Sequence, residues 1–151
     1  RLTQMPLLQI RYDPPSHGWL TLRLTVGSRT VEIDASDVPN NPVQELVVAL
    51  EAAAGGSESS VWWHLEPDGY FTNFEPVGSE VRFNLEFARR SDRREVSLIE
   101  SVTGSKAEIL LPFWRFLRDF ESRPQHEPDW PHVDFSRLQA IKTSISAASE
   151  A

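Results

Sequence analysis

Apolar and polar residues alternate through much of this chain, and this alternation predicts β-strands. The clearest run spans residues 81–87, where Val, Phe, Leu and Phe occupy every second position, and residues 20–26 repeat the pattern with Leu and Val. Because successive side chains of a strand point to opposite faces, each strand has one buried and one solvated face. Further strands are predicted over residues 7–12 (before the Pro14-Pro15 break), 30–35, 59–66, 70–75 and 95–101.

Three segments carry apolar residues at helical spacing. The first follows Asn41-Pro42, a good N-cap and first helical residue, and ends at Gly55-Gly56. The second follows the capping-box sequence of residues 105–108 and runs to residue 121, with Pro112 expected to kink it or reset its start. The third begins after Asp134, which serves as its N-cap.

The order βββ-α-ββββ-α-α predicts an α+β fold in one domain over residues 1–151. Its expected architecture is an antiparallel sheet of about five to seven strands with the helices packed on one face. A single sheet of at least five strands is the simplest arrangement, although the first helix leaves open whether the two meanders form one sheet or two. The end of the chain, about residues 147–151, is expected to fray. The chain opens on Arg1, which leaves open whether a native start is missing.

Composition narrows the possible functions. The net charge is −7 and the pI about 5.1, which argues against a protein that binds nucleic-acid backbones. The absence of cysteine excludes disulfides and Cys-ligated zinc. No apolar run approaches the ~20 residues that a membrane-spanning helix needs. We therefore expect a cytoplasmic protein that binds neither nucleic acid nor a membrane, and whose acidic charge would suit a basic protein partner.

Two adjacent tryptophans, Trp62 and Trp63, lie in a predicted strand, so their indoles must point to opposite faces. Trp63 belongs to the apolar alternate set, whereas Trp62, His64 and Glu66 form the other set. An indole among polar groups on an outer face is typical of a surface that binds another protein. The alternative is that a loop, a terminus or a second subunit covers Trp62.

The same outer face gains further residues if the strands pair as meanders. Trp and Arg are enriched at the positions that dominate binding energies. We therefore predict a partner-binding face that consists of Trp62, His64, Glu66, Arg23, Arg82 and Asn84.

Candidate catalytic and metal-binding residues are few. No nucleophile motif accompanies His64, and no Gly-rich phosphate loop follows a strand, so an enzyme is the less favoured class. The right residue types for a divalent metal lie close together between positions 126 and 134, but the intervening prolines extend this segment and disperse its side chains. We predict no catalytic residue, no cofactor and no metal site. The metal candidates considered are His126, Glu127, Asp129, His132 and Asp134.

A hairpin tip at residues 89–94 contains four arginines. Guanidinium groups bind phosphate and carboxylate groups well, so a ligand for this tip is conceivable. A solvated hairpin end is the more common role of such a charged turn.

A resemblance to a known group of proteins rests on three stretches: residues 17–24 (HGWLTLRL), residues 33–39 before the Leu- and Ala-rich helix, and Trp63 with Glu66-Pro67. In these the chain resembles uncharacterised bacterial α+β proteins, some of which are similar to immunity proteins of polymorphic toxin systems. The resemblance spans roughly residues 17–121 and includes no catalytic motif. It implies a bacterial cytoplasmic protein that binds a toxin domain, and it transfers no site residues.

Two functions of different classes follow. The first is a non-enzymatic protein-binding module, immunity-like, that uses its polar and aromatic sheet face to bind a basic toxin domain or a second copy of itself. The second is a small enzyme or small-ligand-binding domain with a pocket between sheet and helices, in which His64 or the segment at residues 126–134 would act. The lack of a catalytic motif favours the first.

Overall fold

The computed structural model describes residues 6–93, 95–123, 130 and 133–150. Its strands and helices follow the predicted order, and the α+β class with antiparallel sheets is confirmed. The elements are β1 (Leu8–Ser16), β2 (Trp19–Val26), β3 (Arg29–Ser36), α1 (Pro42–Ala54), β4 (Ser59–His64), β5 (Gly69–Val77), β6 (Glu80–Ala88), β7 (Val96–Ser105), α2 (Lys106–Ser122) and α3 (Phe135–Glu150).

The strands form two antiparallel sheets, one of three strands in the order β1-β2-β3 and one of four in the order β4-β5-β6-β7. The expectation of a single sheet is therefore wrong. The start of α1 occupies the free edge of β4, because Glu45 Oε1 accepts a hydrogen bond from the Trp62 backbone N–H at 3.2 Å and Asn40 Nδ2 donates to the Trp62 carbonyl at 2.9 Å. These groups are the ones that another strand would need in order to pair there.

One core lies between the two sheets and the helices. Residues that the alternation marks as inward, such as Leu22 and Leu85, are buried in it. Helix α2 places Phe113 against Phe74 of β5 and Phe83 of β6, with ring centroids 5.1 Å and 5.4 Å apart. The apolar faces that the sequence pattern predicts are thus the faces that pack together, even though they belong to separate sheets.

The helix starts agree with the capping residues. The Asn41 side chain accepts hydrogen bonds from two backbone N–H groups of the first turn of α1, at 3.1 Å and 3.2 Å. Ser105 and Glu108 form a reciprocal capping box, in which each side chain accepts from the other residue's backbone N–H, at 3.0 Å and 2.9 Å. Helix α2 continues through Pro112, so the proline does not reset its start.

Three strands continue at least two residues past their predicted C-terminal ends. Strand β1 passes through Pro14-Pro15 to Ser16, with an irregular register after Asp13. Proline is tolerated there because β1 is an edge strand, where a missing N–H removes no ladder hydrogen bond. Pro76 likewise lies within β5, at a level where β4 has already ended. Strand β7 reaches Ser105, directly before α2.

Helix α3 is tied to α1 by an ion pair, in which the Arg137 guanidinium donates to both carboxylate oxygens of Glu51, at 2.7 Å and 2.5 Å. This contact lowers the pKa of Glu51. A carboxylate whose pKa is depressed by folding stabilises the native state above its unfolded pKa, and that contribution is lost as the pH falls through the folded value.

We expect Glu51→Gln to lower the urea midpoint near neutral pH, and this deficit to shrink as the pH falls through the lowered pKa of Glu51, where the wild-type carboxylate also becomes neutral. Urea titrations of both proteins across that range measure it. A deficit that stays constant into acid would contradict the ion-pair origin.

Candidate functional site

The outer face of the four-stranded sheet is the side turned away from the core. Strand register defines it: Trp62 pairs with Phe71, Phe71 with Glu86, and Glu86 with Leu98, so that one row crosses all four strands. Neighbouring rows follow from the same register. The side chains of this outer face include Ser60, Trp62, His64, Phe71, Asn73, Glu75, Val77, Glu80, Arg82, Asn84, Glu86, Ala88, Val96, Leu98, Ser101 and Thr103.

The two tryptophans point to opposite faces, as the sequence predicts. Trp63 is 1% exposed in the core, where its Nε1 donates to Thr72 Oγ1 at 2.9 Å. Trp62 belongs to the outer face but is only 6% exposed. Trp62 is therefore covered within this chain, by residues of its own sheet, whereas the alternative named a loop, a terminus or a second subunit. Its indole is not an accessible anchor by itself.

Trp62 is buried in a small second cluster of apolar side chains. Its members, named here the outer cluster, are Trp62, Phe71, Ala88 and the half-buried Val96. The Trp62 and Phe71 rings lie 4.7 Å apart. The Trp62 Nε1 donates to His64 Nδ1 at 3.0 Å, which satisfies the indole N–H beside the cluster. The outer face therefore has an apolar centre held by its own strands.

Arg93 leaves the hairpin tip and folds back over the outer face. Its guanidinium carbon lies 3.9 Å from the centroid of the Phe71 ring. The guanidinium donates to Glu86 Oε1 at 2.9 Å, to Asn73 Oδ1 at 2.7 Å and to Ser60 Oγ at 3.1 Å. One side chain thereby links β4, β5 and β6. The arginine-rich tip is thus more than a solvated turn, because one of its arginines binds a carboxylate of this chain.

Four of the six predicted partner-binding residues share the outer face: Trp62, His64, Arg82 and Asn84. Arg82 forms an ion pair with Glu75 at 3.1 Å. Asn84 Oδ1 accepts a hydrogen bond from Ser101 Oγ at 2.6 Å. These polar side chains are therefore held in place across β5, β6 and β7.

The other two predicted residues lie elsewhere. Glu66 follows the end of β4 in a turn, with φ of +68°. Arg23 lies on β2 of the three-stranded sheet and pairs with Asp13 at 3.0 Å and Glu32 at 3.4 Å. The prediction that both share one face with Trp62 is wrong, because the meanders form separate sheets and the strand ends before Glu66.

Leu98 is an exposed apolar residue on the outer face that sequence patterning misses. It is 61% exposed and lies opposite Glu86. The register of β6 and β7 shifts between Leu85, which pairs with Glu100, and Glu86, which pairs with Leu98. A shift of one residue exchanges the two faces of a strand, so this bulge turns Leu98 outward.

The proposed metal ligands at residues 126, 127, 129 and 132 lie outside the described residues. Asp134 is described, and its Oδ1 accepts a hydrogen bond from the Ser136 N–H at 2.8 Å, as expected of the N-cap of α3. Over the described ranges, no group of at least three His, Asp or Glu side chains could hold a metal ion. Within the same ranges, no helix combines the length and the apolar composition needed to cross a membrane.

We predict that protein purified without added metal carries far less than one equivalent of zinc, because the prolines in the sequence of residues 123–134 are expected to disperse the potential ligands. Elemental analysis of the purified protein measures this. Stoichiometric zinc that disappears in the His126→Ala, His132→Ala double variant would contradict the prediction.

No family model matches this chain, and no curated protein matches it. Among solved structures, the chain is similar to one described as "CdiA-CT/CdiI toxin and immunity complex from Enterobacter cloacae", with 11% sequence identity and a TM-score of 0.38. The alignment covers 97% of this chain and 100% of that chain.

Proposed function

We propose that this chain is a non-enzymatic protein-binding module of the immunity type, and that it neutralises a toxin domain by binding it with the outer face of the four-stranded sheet. The observation that carries this proposal is the pair of accessible side chains Arg93 and Leu98 on the outer face, with Arg93 held from below by the buried Phe71 ring, which packs on Trp62. Aromatic and arginine side chains dominate binding energy in many interfaces.

Arg93 is pre-organised for binding. Arg93 is held by three side-chain partners and by the Phe71 ring before any partner arrives. Immobilising a long side chain at an interface costs about 0.5–1.5 kcal/mol of free energy, so a side chain that is already ordered loses less on binding. Leu98 supplies an exposed apolar contact, and the polar pairs around it resemble the rim of an interface.

Charge favours a basic partner. The chain carries a net charge of −7, whereas on the outer face the carboxylates of Glu75 and Glu86 are paired with Arg82 and Arg93, so the attraction comes from the chain as a whole. Complementary charge raises the rate of association and disfavours partners of like charge. A basic toxin domain fits both properties.

A small enzyme with a pocket between sheet and helices has less support. The cavity enclosed between the sheets and the helices has a volume of about 10 Å³ and is bordered by Leu22, Trp63 and Phe113. That is room for at most about one water molecule. His64, the candidate base, already accepts the Trp62 N–H through its Nδ1.

The test is co-expression in bacteria with the toxin domain encoded beside the gene for this chain. We expect the wild-type chain to restore growth and to co-purify with that domain as a stable complex. The proposal is overturned if the neighbouring genes encode no toxin domain, or if the chain neither restores growth nor forms a complex.

Leu98→Asp identifies the surface. A charge at the centre of a desolvated contact should weaken binding by about 2 kcal/mol or more. Val48→Asp is the matched control, because Val48 on α1 is also exposed, at 55%. Equal binding by the two variants in calorimetry would remove the outer face from the proposal. A homodimer that Leu98→Asp dissociates in sedimentation would replace the toxin domain with a second copy of this chain.

A further inference from the structure

We propose that the free edge of β1 binds an extended acidic segment of a protein partner, which adds to the three-stranded sheet as an antiparallel fourth strand. This site lies on a different sheet from the outer face and does not rest on the function proposed above. Strand addition to an exposed sheet edge derives its affinity from main-chain hydrogen bonds and its specificity from alternate side chains.

The register of β1 and β2 shows which backbone groups are free. The Gly27 N–H donates to the Leu7 carbonyl at 3.0 Å, which makes these two residues a hydrogen-bonded pair. Such pairs alternate along an antiparallel ladder with pairs whose N–H and C=O groups point away from each other. Leu8, Ile10 and Tyr12 fall in the second kind of pair. Their backbone groups therefore point away from β2, toward the open edge.

The edge strands β4 and β1 differ in whether their outward backbone groups are hydrogen-bonded. On β4, Asn40 and Glu45 bond the outward carbonyl and N–H of Trp62. On β1, within the part of the chain that the structure describes, no side chain or strand bonds the outward groups of Ile10 and Tyr12. Edge strands with unpaired groups are templates for another strand, and only the first of these edges is closed.

A groove of about 270 Å³ runs beside this edge, between β1 and α2. Ile10, Pro112 and Phe116 give it an apolar wall. Tyr12 is fixed at one end, because its hydroxyl donates to Asp119 Oδ2 at 2.7 Å and its ring meets Phe116 edge-on at 5.0 Å. A strand added to β1 would turn every second side chain toward this wall.

Charge specifies the occupant. Arg115 lines the groove, and Arg11 lies on β1. Neither guanidinium has an ion pair or hydrogen bond among the described residues, although both side chains are exposed. The nearby carboxylates of Asp13 and Asp119 already bind Arg23 and Arg123. A segment that alternates apolar and acidic residues would turn its apolar side chains to the apolar wall and its acidic side chains to the opposite face of the sheet, beside Arg11.

The probe is a fluorescent peptide of alternating Glu and Val, about eight residues long to match a strand. In antiparallel pairing, peptide residues opposite Ile10 and Tyr12 turn both their side chains and their N–H groups toward the site, so these are the Val residues. We expect N-methylation of the Val amides to weaken binding by roughly tenfold or more, and N-methylation of the Glu amides to change it little. The proposal is overturned if the unmethylated peptide does not bind, or if methylation of the Val amides does not weaken binding more than methylation of the Glu amides.

Two further measurements locate the site. Hydrogen exchange should show the amides of Ile10 and Tyr12 becoming protected when the peptide binds, and protection confined to other strands overturns the proposal. Arg11→Glu, on the face that the peptide's Glu side chains share, should weaken peptide binding about tenfold. Arg118→Glu, the same charge change on α2 outside the groove, is the control, and equal effects of the two variants count against the site. Leu98→Asp should leave peptide binding unchanged, which separates this result from the outer-face proposal.

Discussion

Trp63→Ala is expected to lower the free energy of unfolding by about 3–5 kcal/mol, the largest single-residue effect that we predict for this chain. Trp63 is 1% exposed and borders the core between the two sheets. Its removal leaves a cavity lined by rigid aromatic and aliphatic groups, and it also leaves the buried Thr72 hydroxyl without the indole N–H that donates to it at 2.9 Å. Equilibrium unfolding in urea measures the loss.

Trp62→Ala is the comparison, since the same residue type is removed one position earlier. We expect a smaller loss, about 2 kcal/mol, because the outer cluster is small and borders solvent, so that water and the Arg93 side chain can fill the space. The monomer should remain folded. Losses of equal size in the two variants would contradict the separation between the core and the outer cluster, and would remove Trp62 from the partner-binding face.

Gly69→Ala is expected to destabilise the protein by about 2–3 kcal/mol. The cause here is overpacking, whereas Trp63→Ala acts by leaving a cavity. A Cβ at this position would lie 2.6 Å from Trp62 Cη2 and would also clash with the backbone carbonyl of Trp63. The indole could move only by disturbing Phe71, against which it packs. Thermal and urea unfolding report the loss.

Gly55→Ala is the matched control for this substitution. Its Cβ would meet its nearest neighbour, the Glu51 carbonyl, at 3.4 Å, and Gly55 has a φ of −84°. We therefore expect unchanged or slightly higher stability there. In a Trp62→Ala background the loss from Gly69→Ala should shrink but not vanish, because the carbonyl clash remains. An unchanged loss would show that the indole is not the obstacle.

Local chemistry accounts for the elements that could be predicted. Asn41 and Ser105 start helices because their side chains accept from backbone N–H groups only a few residues away. Alternation at residues 81–87 identifies a strand because side-chain direction repeats every second residue. The opposite orientations of Trp62 and Trp63 follow from the same geometry. None of these inferences requires knowledge of a distant residue.

The candidate site was only partly predictable. Trp62, His64, Arg82 and Asn84 share the outer face, as predicted, because each lies on a strand whose alternation is regular. Arg93 was missed because a charged hairpin residue carries no signal of the strand to which it folds back. Leu98 was missed because a one-residue bulge in β7 cannot be recognised from apolar spacing.

From the sequence alone, the type and order of the strands and helices follow, together with the inward face of the strands whose alternation is regular, since propensity, periodicity and capping act over a few residues. Long-range contacts determined the division into two sheets, the return of Arg93 over Phe71 and the open edge of β1. These features depend on which groups far apart in the chain contact one another and form hydrogen bonds. Asn40 and Glu45, for example, close the edge of β4 by bonding the backbone of Trp62. Local patterns do not encode such pairings, because whether a pairing forms depends on its free energy relative to that of every competing contact in the chain.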